Sequence, residues 1–202
     1  AENEAFYPCL LPMTFREGAA TLEHLRLHNG TIWRWNRPLI GFDDSGTPHF
    51  RIEHRVLPSG PSVVDMIANA ALYFGLVHHF AGCEPAPETR LAFERARENL
   101  YRAAREGLAS RLMWLEGTET DARTLLLDAL LPVARIGLSG LGVEAEEIDR
   151  YLGVIEARVR SGQTGTAWLR RHHDTAGRDF ARLTSTYLAH QRSGAPVHEW
   201  AE

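Results

Sequence analysis

Cysteine is scarce in this chain: Cys9 and Cys83 are the only two among 202 residues. Two thiols without a Cys-x-x-Cys or Cys/His spacing exclude a disulfide scaffold and a structural zinc site. Reduced thiols of a cytoplasmic protein are the simplest reading. No run of 18 apolar residues occurs, so no membrane span is expected, and no signal-peptide pattern opens the chain. Positive charge is not in excess either. Arg and Lys number 22 against 26 Asp and Glu, a formal net charge of −4. That balance recruits no nucleic acid. Acidic residues interleave with the basic clusters, which disfavours a basic amphipathic helix on a membrane. Repeats of fixed period and low-complexity stretches are absent. An initiator Met is missing before Ala1-Glu2-Asn3, and the chain reads as a piece of a longer protein.

What is present is ordinary globular composition, 44% hydrophobic and 24% charged, on a chain long enough to bury a core. A short helix is expected from Glu17 to His28, ended by Asn29-Gly30. Thr31–Asn36 is rich in β-branched and aromatic residues and predicts a strand ended by Arg37-Pro38. Asp43-Asp44-Ser45-Gly46-Thr47-Pro48 is a turn signal, and His49–Leu57 predicts a second strand, antiparallel to the first. Ser62 then fits an N-cap with Asp65 three residues on. The following helix, to about Phe80, is apolar nearly all round and should be buried. Further helices are expected over Glu88–Ala109, Asp121–Ile136 with Pro132 kinking or ending it, Glu144–Val159, and Thr166–Gln191 with a break near Gly177. Gly137–Gly142 is expected to be a hinge, and Pro196–Trp200 an extended tail. The predicted class is α+β. Residues 1–60 form an irregular and helical lead with a two-stranded β piece, and residues 61–202 form a helical region.

The chemistry concentrates on the second strand. Alternation sends Phe50, Ile52, His54 and Val56 to one face, mostly a core face, and Arg51, Glu53, Arg55 and Leu57 to the other. Arg, Glu and Arg then stand in a row at roughly 6–7 Å spacing. A carboxylate between guanidiniums can hold Mg²⁺ while the arginines hold phosphate or carboxylate oxygens. The same row also suits a solvated strand face laced with ion pairs, each worth at most about 1 kcal/mol.

The succession Gly30-Thr31-Ile32-Trp33-Arg34-Trp35-Asn36-Arg37-Pro38, then Arg51-Ile52-Glu53-His54-Arg55, then a Pro/Gly turn and the helix Asp65-Met66-Ile67-Ala68-Asn69-Ala70-Ala71-Leu72 resembles the carboxy-terminal part of the glutamate–cysteine ligase family. It is more distantly similar to glutamine synthetases. The resemblance implies that Glu53 is a divalent-metal ligand, Mg²⁺ or Mn²⁺. It implies that Arg51 holds ATP phosphate, that Arg37 lies near the phosphates, and that Arg55 faces the amino-acid substrate or the acyl phosphate. The implied reaction phosphorylates a glutamate side-chain carboxylate, and an amine then attacks the acyl phosphate to form an amide. Two departures stand out. Trp35 occupies a position that is often acidic in the family, and the chain lacks a Glu-x-Glu strand that would supply further metal ligands. The implied partners are therefore an amino-acid substrate such as glutamate, an amine, and a missing amino-terminal half of the same protein; without that half the chain should be inactive. Unpaired strand edges would favour a homo-oligomer. A non-catalytic helical interaction module that keeps the ligase scaffold is the alternative.

Other features have plainer readings. Trp33 and Trp35 share a strand face with Arg37 and could stack on adenine, though packing is the commoner role. His78-His79 do not share a helical face and suit a helix C-terminus better than a metal. Arg170-Arg171-His172-His173-Asp174 suits a solvated helix end. Gly137–Gly142 follows no strand and carries no Lys-Ser/Thr, so it is no phosphate loop.

Overall fold

The structure, a computed structural model, describes residues 35–57, 59–115 and 117–201. The chain divides into two compact units, 1–58 and 59–202. The expected helix over Glu17–His28 and residues 31–34 of the first expected strand lie outside the described residues.

In the first unit, β1 (Asn36–Phe42) pairs antiparallel with β2 (Pro48–His54), Asn36 opposite His54 and Phe42 opposite Pro48. The turn between them is held by one side chain. The Asp43 carboxylate accepts from the backbone N–H groups of Ser45 (2.9 Å) and Thr47 (2.8 Å) and from the Ser45 hydroxyl (2.6 Å). Gly46 takes a φ of +82°, which glycine adopts without steric cost. Arg37-Pro38 does not end the strand as expected; both residues lie within β1. The register explains the tolerance. The Arg55 N–H donates to the Trp35 carbonyl (2.7 Å), and hydrogen-bonded pairs alternate along an antiparallel ladder. Arg37 opposite Glu53 is then a hydrogen-bonded pair, and Pro38 opposite Ile52 is not, so proline's missing N–H leaves the ladder intact.

The second unit is helical. α1 (Val63–Ala81) starts where expected: the Ser62 hydroxyl oxygen accepts from the Asp65 N–H. The helix is not buried all round, however. Ala68 and Gly75 face the interior while Val63, Ile67, Phe74 and Val77 are exposed. With 19 residues and a mean hydropathy of 1.2, α1 is long and apolar enough to cross a membrane by length and composition. The absence of an unbroken apolar run did not foresee this, because Asp65, Asn69, His78 and His79 interrupt the run without lowering the mean below that of a span. Within the unit its inner face packs on α5 (Leu131–Gly140) and α6 (Ala145–Ser161).

The crossing of α1 and α5 is the tightest part of the fold. Gly75 and Gly137 meet backbone to backbone, and a Cβ on either would overlap the other helix's main chain. Gly137 is thus the middle of a helix, not a hinge; α5 continues through it to Gly140. Around this crossing Ala134, Leu138, Ile148, Leu152 and Ile155 are buried. Each large aliphatic among them contributes about 1.5–3 kcal/mol by leaving water.

Between Pro87 and Ala109 the expected single helix is divided into α2 (Pro87–Arg90), α3 (Phe93–Glu106) and a 3₁₀ turn, Gly107–Ala109. A short hairpin follows that the sequence reading did not foresee, β3 (Arg111–Met113) with β4 (Glu119–Asp121). Three-residue strands are too short to show a period. Asn99 of α3 extends the hairpin: its amide donates to the Met113 carbonyl (2.5 Å) and accepts from the Met113 N–H (2.9 Å). Asp121 caps α4 (Ala122–Thr124), which runs through a π-helical stretch, Leu125–Leu130, into α5. Pro132 sits in the first turn of α5. The wider turn before it accommodates a residue that cannot donate to the i−4 carbonyl and would clash with it.

The last two helices, α7 (Gly165–Ala176) and α8 (Phe180–Ser193), are separated at Gly177 as expected. The tail is a 3₁₀ turn, Val197–Glu199, with Val197 and Trp200 buried, where an extended segment was expected. It is anchored at Asp65, a fully buried carboxylate. One oxygen accepts from Arg158 (2.6 Å), and the other from the Val197 N–H (3.0 Å) and the Ser62 hydroxyl (2.8 Å). Asn69 accepts from the second arm of the Arg158 guanidinium (2.7 Å). The Gln163 amide holds the carbonyls of Val197 and Trp200, and the Trp168 indole N–H holds that of Ala201. Asp65 is therefore far more than a cap: it joins the start of α1, the end of α6 and the tail.

Candidate functional site

The first hairpin gathers the four residues singled out from the sequence. Cross-strand pairing sets Arg37 opposite Glu53 and Leu39 opposite Arg51, so Arg37, Arg51, Glu53 and Arg55 share one face by alternation along the two strands. The Arg37 Nε donates to Glu53 Oε2 at 2.5 Å, and the Arg55 Nε lies 3.9 Å from the same oxygen. Arg51 stands further along the strand, with its Nη1 3.4 Å from His49 Nε2. Trp35 is exposed beside this row; Trp33 lies outside the described residues.

The opposite face departs from expectation. Phe50 and Ile52 were assigned to a core, yet they are 77% and 63% exposed. Further along that face, His54 Nδ1 contacts the Asn36 amide oxygen at 2.5 Å. Desolvation holds the His54 imidazole below its ordinary pKa, favouring the neutral ring.

Chemically, the row offers one carboxylate and three guanidiniums. The guanidiniums suit phosphate or carboxylate oxygens, each presenting a planar fork of N–H groups. The carboxylate suits a single position in a divalent-metal shell completed by phosphate oxygens. Among the described residues no group of three or more His, Cys, Asp or Glu stands ready to hold a metal. His78 and His79 lie in the last turn of α1, as expected for a helix C-terminus. The Arg170–Asp174 run lies within α7, where His172 is stacked on the Trp168 ring with centroids 5.0 Å apart.

Compared with known protein families, residues 12–186 match the model of glutamate-cysteine ligase family 2. The chain belongs to this family. The match covers most of the chain, spanning both the hairpin and the helical unit, so the ligase-family scaffold extends well beyond the strand that first suggested it. Neither the curated proteins nor the solved structures gave a match. Within this family member, sequence reading foresaw the hairpin face but missed the Asp65–Arg158–Asn69 centre. The available signal was a carboxylate at the start of an otherwise apolar helix, and it was absorbed by its capping role.

Proposed function

We propose that the chain is part of an ATP-dependent carboxylate–amine ligase and that the hairpin face contributes to its nucleotide and metal site. The observation that supports this most directly is the hairpin register, which sets Arg37 and Arg55 about one carboxylate, Glu53, in a member of the ligase family. In this reading Arg51 and Arg37 bind the phosphates of ATP, and Arg55 faces the amino-acid substrate. Glu53 would hold Mg²⁺ or Mn²⁺ by one carboxylate, and the ion would supply charge neutralisation at the transferring phosphoryl group. The γ-phosphoryl group passes to a side-chain carboxylate, releasing ADP. An amine then displaces phosphate from the acyl phosphate, giving the amide. The arginines stabilise the charge that builds on phosphorus and on the carbonyl oxygen. The remaining metal carboxylates come from a further segment or from another polypeptide. The setting is cytoplasmic, and the family name points to glutamate with a cysteine-like amine as the substrate class.

A second reading, a non-catalytic module on the ligase scaffold, is favoured by one observation: Glu53 is already neutralised by Arg37 at 2.5 Å. Calorimetric titration of Mg²⁺–ATP distinguishes the two. It should be run on this chain and on a longer polypeptide containing it, with Glu53→Ala and Arg51→Ala variants. Binding that both substitutions abolish supports the ligase site. Absence of binding to either polypeptide sinks it and leaves the module.

A further inference from the structure

A second recognition site lies wholly within the helical unit. An open groove runs between the 3₁₀ turn after α3, the π-helical stretch before α5, and the loop that joins α6 to α7. Its floor is aliphatic, with Leu112, Leu125, Leu126 and Leu130 among the lining residues. Its polar rim is cationic. Arg123 and Arg170 both line it, and every one of the 22 basic residues of this chain is an arginine.

Those two guanidiniums differ from most others in the described helical unit. Arg95, Arg102, Arg111, Arg135, Arg150, Arg158 and Arg160 each lie against a carboxylate. Arg123 instead donates one arm to the Val159 carbonyl (2.7 Å) at the end of α6 and is half-buried against Gly162. Its remaining N–H groups meet no carboxylate among the described residues. Arg170 is exposed and likewise meets none. Glu106 is the one acidic residue on the lining among the described residues, and it is exposed and faces Arg105 at 3.6 Å. The amino end of α7 adds partial positive charge beside Thr164 and Thr166. A half-buried guanidinium without a counter-charge among the described residues, above an aliphatic floor, is complementary to one kind of ligand.

We propose that this groove binds an amphiphilic anion: a carboxylate or phosphate head held by Arg123 and Arg170, with an aliphatic body lying over Leu112 and Leu126. The site belongs to the helical unit and does not depend on the ligase reading.

The test uses the full 202-residue chain and follows thermal unfolding and calorimetric binding with octanoate, octyl phosphate, inorganic phosphate and octylamine, all below micellar concentration. Octanoate or octyl phosphate should bind at least tenfold more tightly than inorganic phosphate, and octylamine should not bind. Whichever of the two anionic amphiphiles binds tighter identifies the head group. Arg170→Gln, at an exposed helical position, should leave the unfolding midpoint of the unliganded chain unchanged and weaken amphiphile binding about tenfold, and Leu126→Ser should remove the advantage over inorganic phosphate. No binding of either amphiphile to the folded chain would overturn the proposal, as would binding indifferent to Arg170→Gln or equal affinity for octylamine.

Discussion

Arg158 donates to the buried carboxylate of Asp65 at 2.6 Å across 93 positions of sequence. The partners are unequal: Asp65 is 0% exposed and Arg158 14%. A buried pair of this kind adds little over a well-packed apolar pair, but breaking it leaves an uncompensated charge inside. Asp65 is also the acceptor that fixes the Val197 N–H, so its loss should reach the tail. Asp65→Ala is expected to destabilise the helical unit by about 3–5 kcal/mol, measured by urea unfolding. The tail should loosen first, giving early exchange of the Val197 amide. An unfolding midpoint unchanged by Asp65→Ala would refute the role of this centre.

The Gly75–Gly137 crossing makes a prediction opposite to helix propensity. On propensity alone Gly137→Ala would stabilise α5 by up to about 1 kcal/mol. Here the added methyl would overlap the main chain of α1 at Gly75, and overpacking should cost about 1–3 kcal/mol net. Gly153→Ala is the control: a Cβ there meets open space, and the substitution should be neutral or stabilising. Thermal denaturation of the two variants separates the effects.

Acid should weaken both hairpins before the core. The Ser45 hydroxyl and the Thr47 N–H hold the Asp43 carboxyl below its ordinary value. Hydrogen bonds from Arg111, then Arg102, do the same for Glu119, and Arg102 does so for Glu98. A carboxyl whose folded pKa is depressed contributes stability that is fully present above its unfolded value and is lost as pH falls through the folded one. The loss therefore lies below about 4.5 for the glutamates and below about 3.8 for Asp43. The protection factors of the Ser45 and Thr47 backbone amides, taken against intrinsic exchange at each pH, should fall in that range. Asp43→Asn, which keeps the acceptor oxygen and removes the titration, should flatten the dependence.

His54 acts in the same direction at higher pH. Desolvation lowers the pKa of its ring below the ordinary 6.5, so the unfolded chain takes up its proton first as pH falls below about 6.5. The first hairpin should lose stability from there downward, and His54→Gln should remove that portion of the pH dependence. An NMR titration of the His54 ring giving a midpoint above 6.5 would refute the assignment.

Much of the local structure was legible in the sequence because it depends on near neighbours. The Asp43–Thr47 turn, the Ser62 cap, the break at Gly177 and the buried stripe of Ile148, Leu152 and Ile155 each follow from residues within a few positions of one another. The face carrying Arg51, Glu53 and Arg55 follows from alternation along a single strand, and the family match extends the scaffold it suggested to residues 12–186. Tertiary structure decided the rest. Whether Pro38 ends β1 depends on which edge of the ladder its nitrogen faces, and that is set by pairing with Ile52. Whether Gly137 bends a helix or packs one depends on Gly75, which local sequence cannot see. Asp65 serves as a cap by its local spacing; only the approach of Arg158 and Val197 makes it the centre of the helical unit. The difference is physical: hydrogen bonds within a turn are set by local geometry, whereas burial and charge compensation are set by what distant segments bring to the same place.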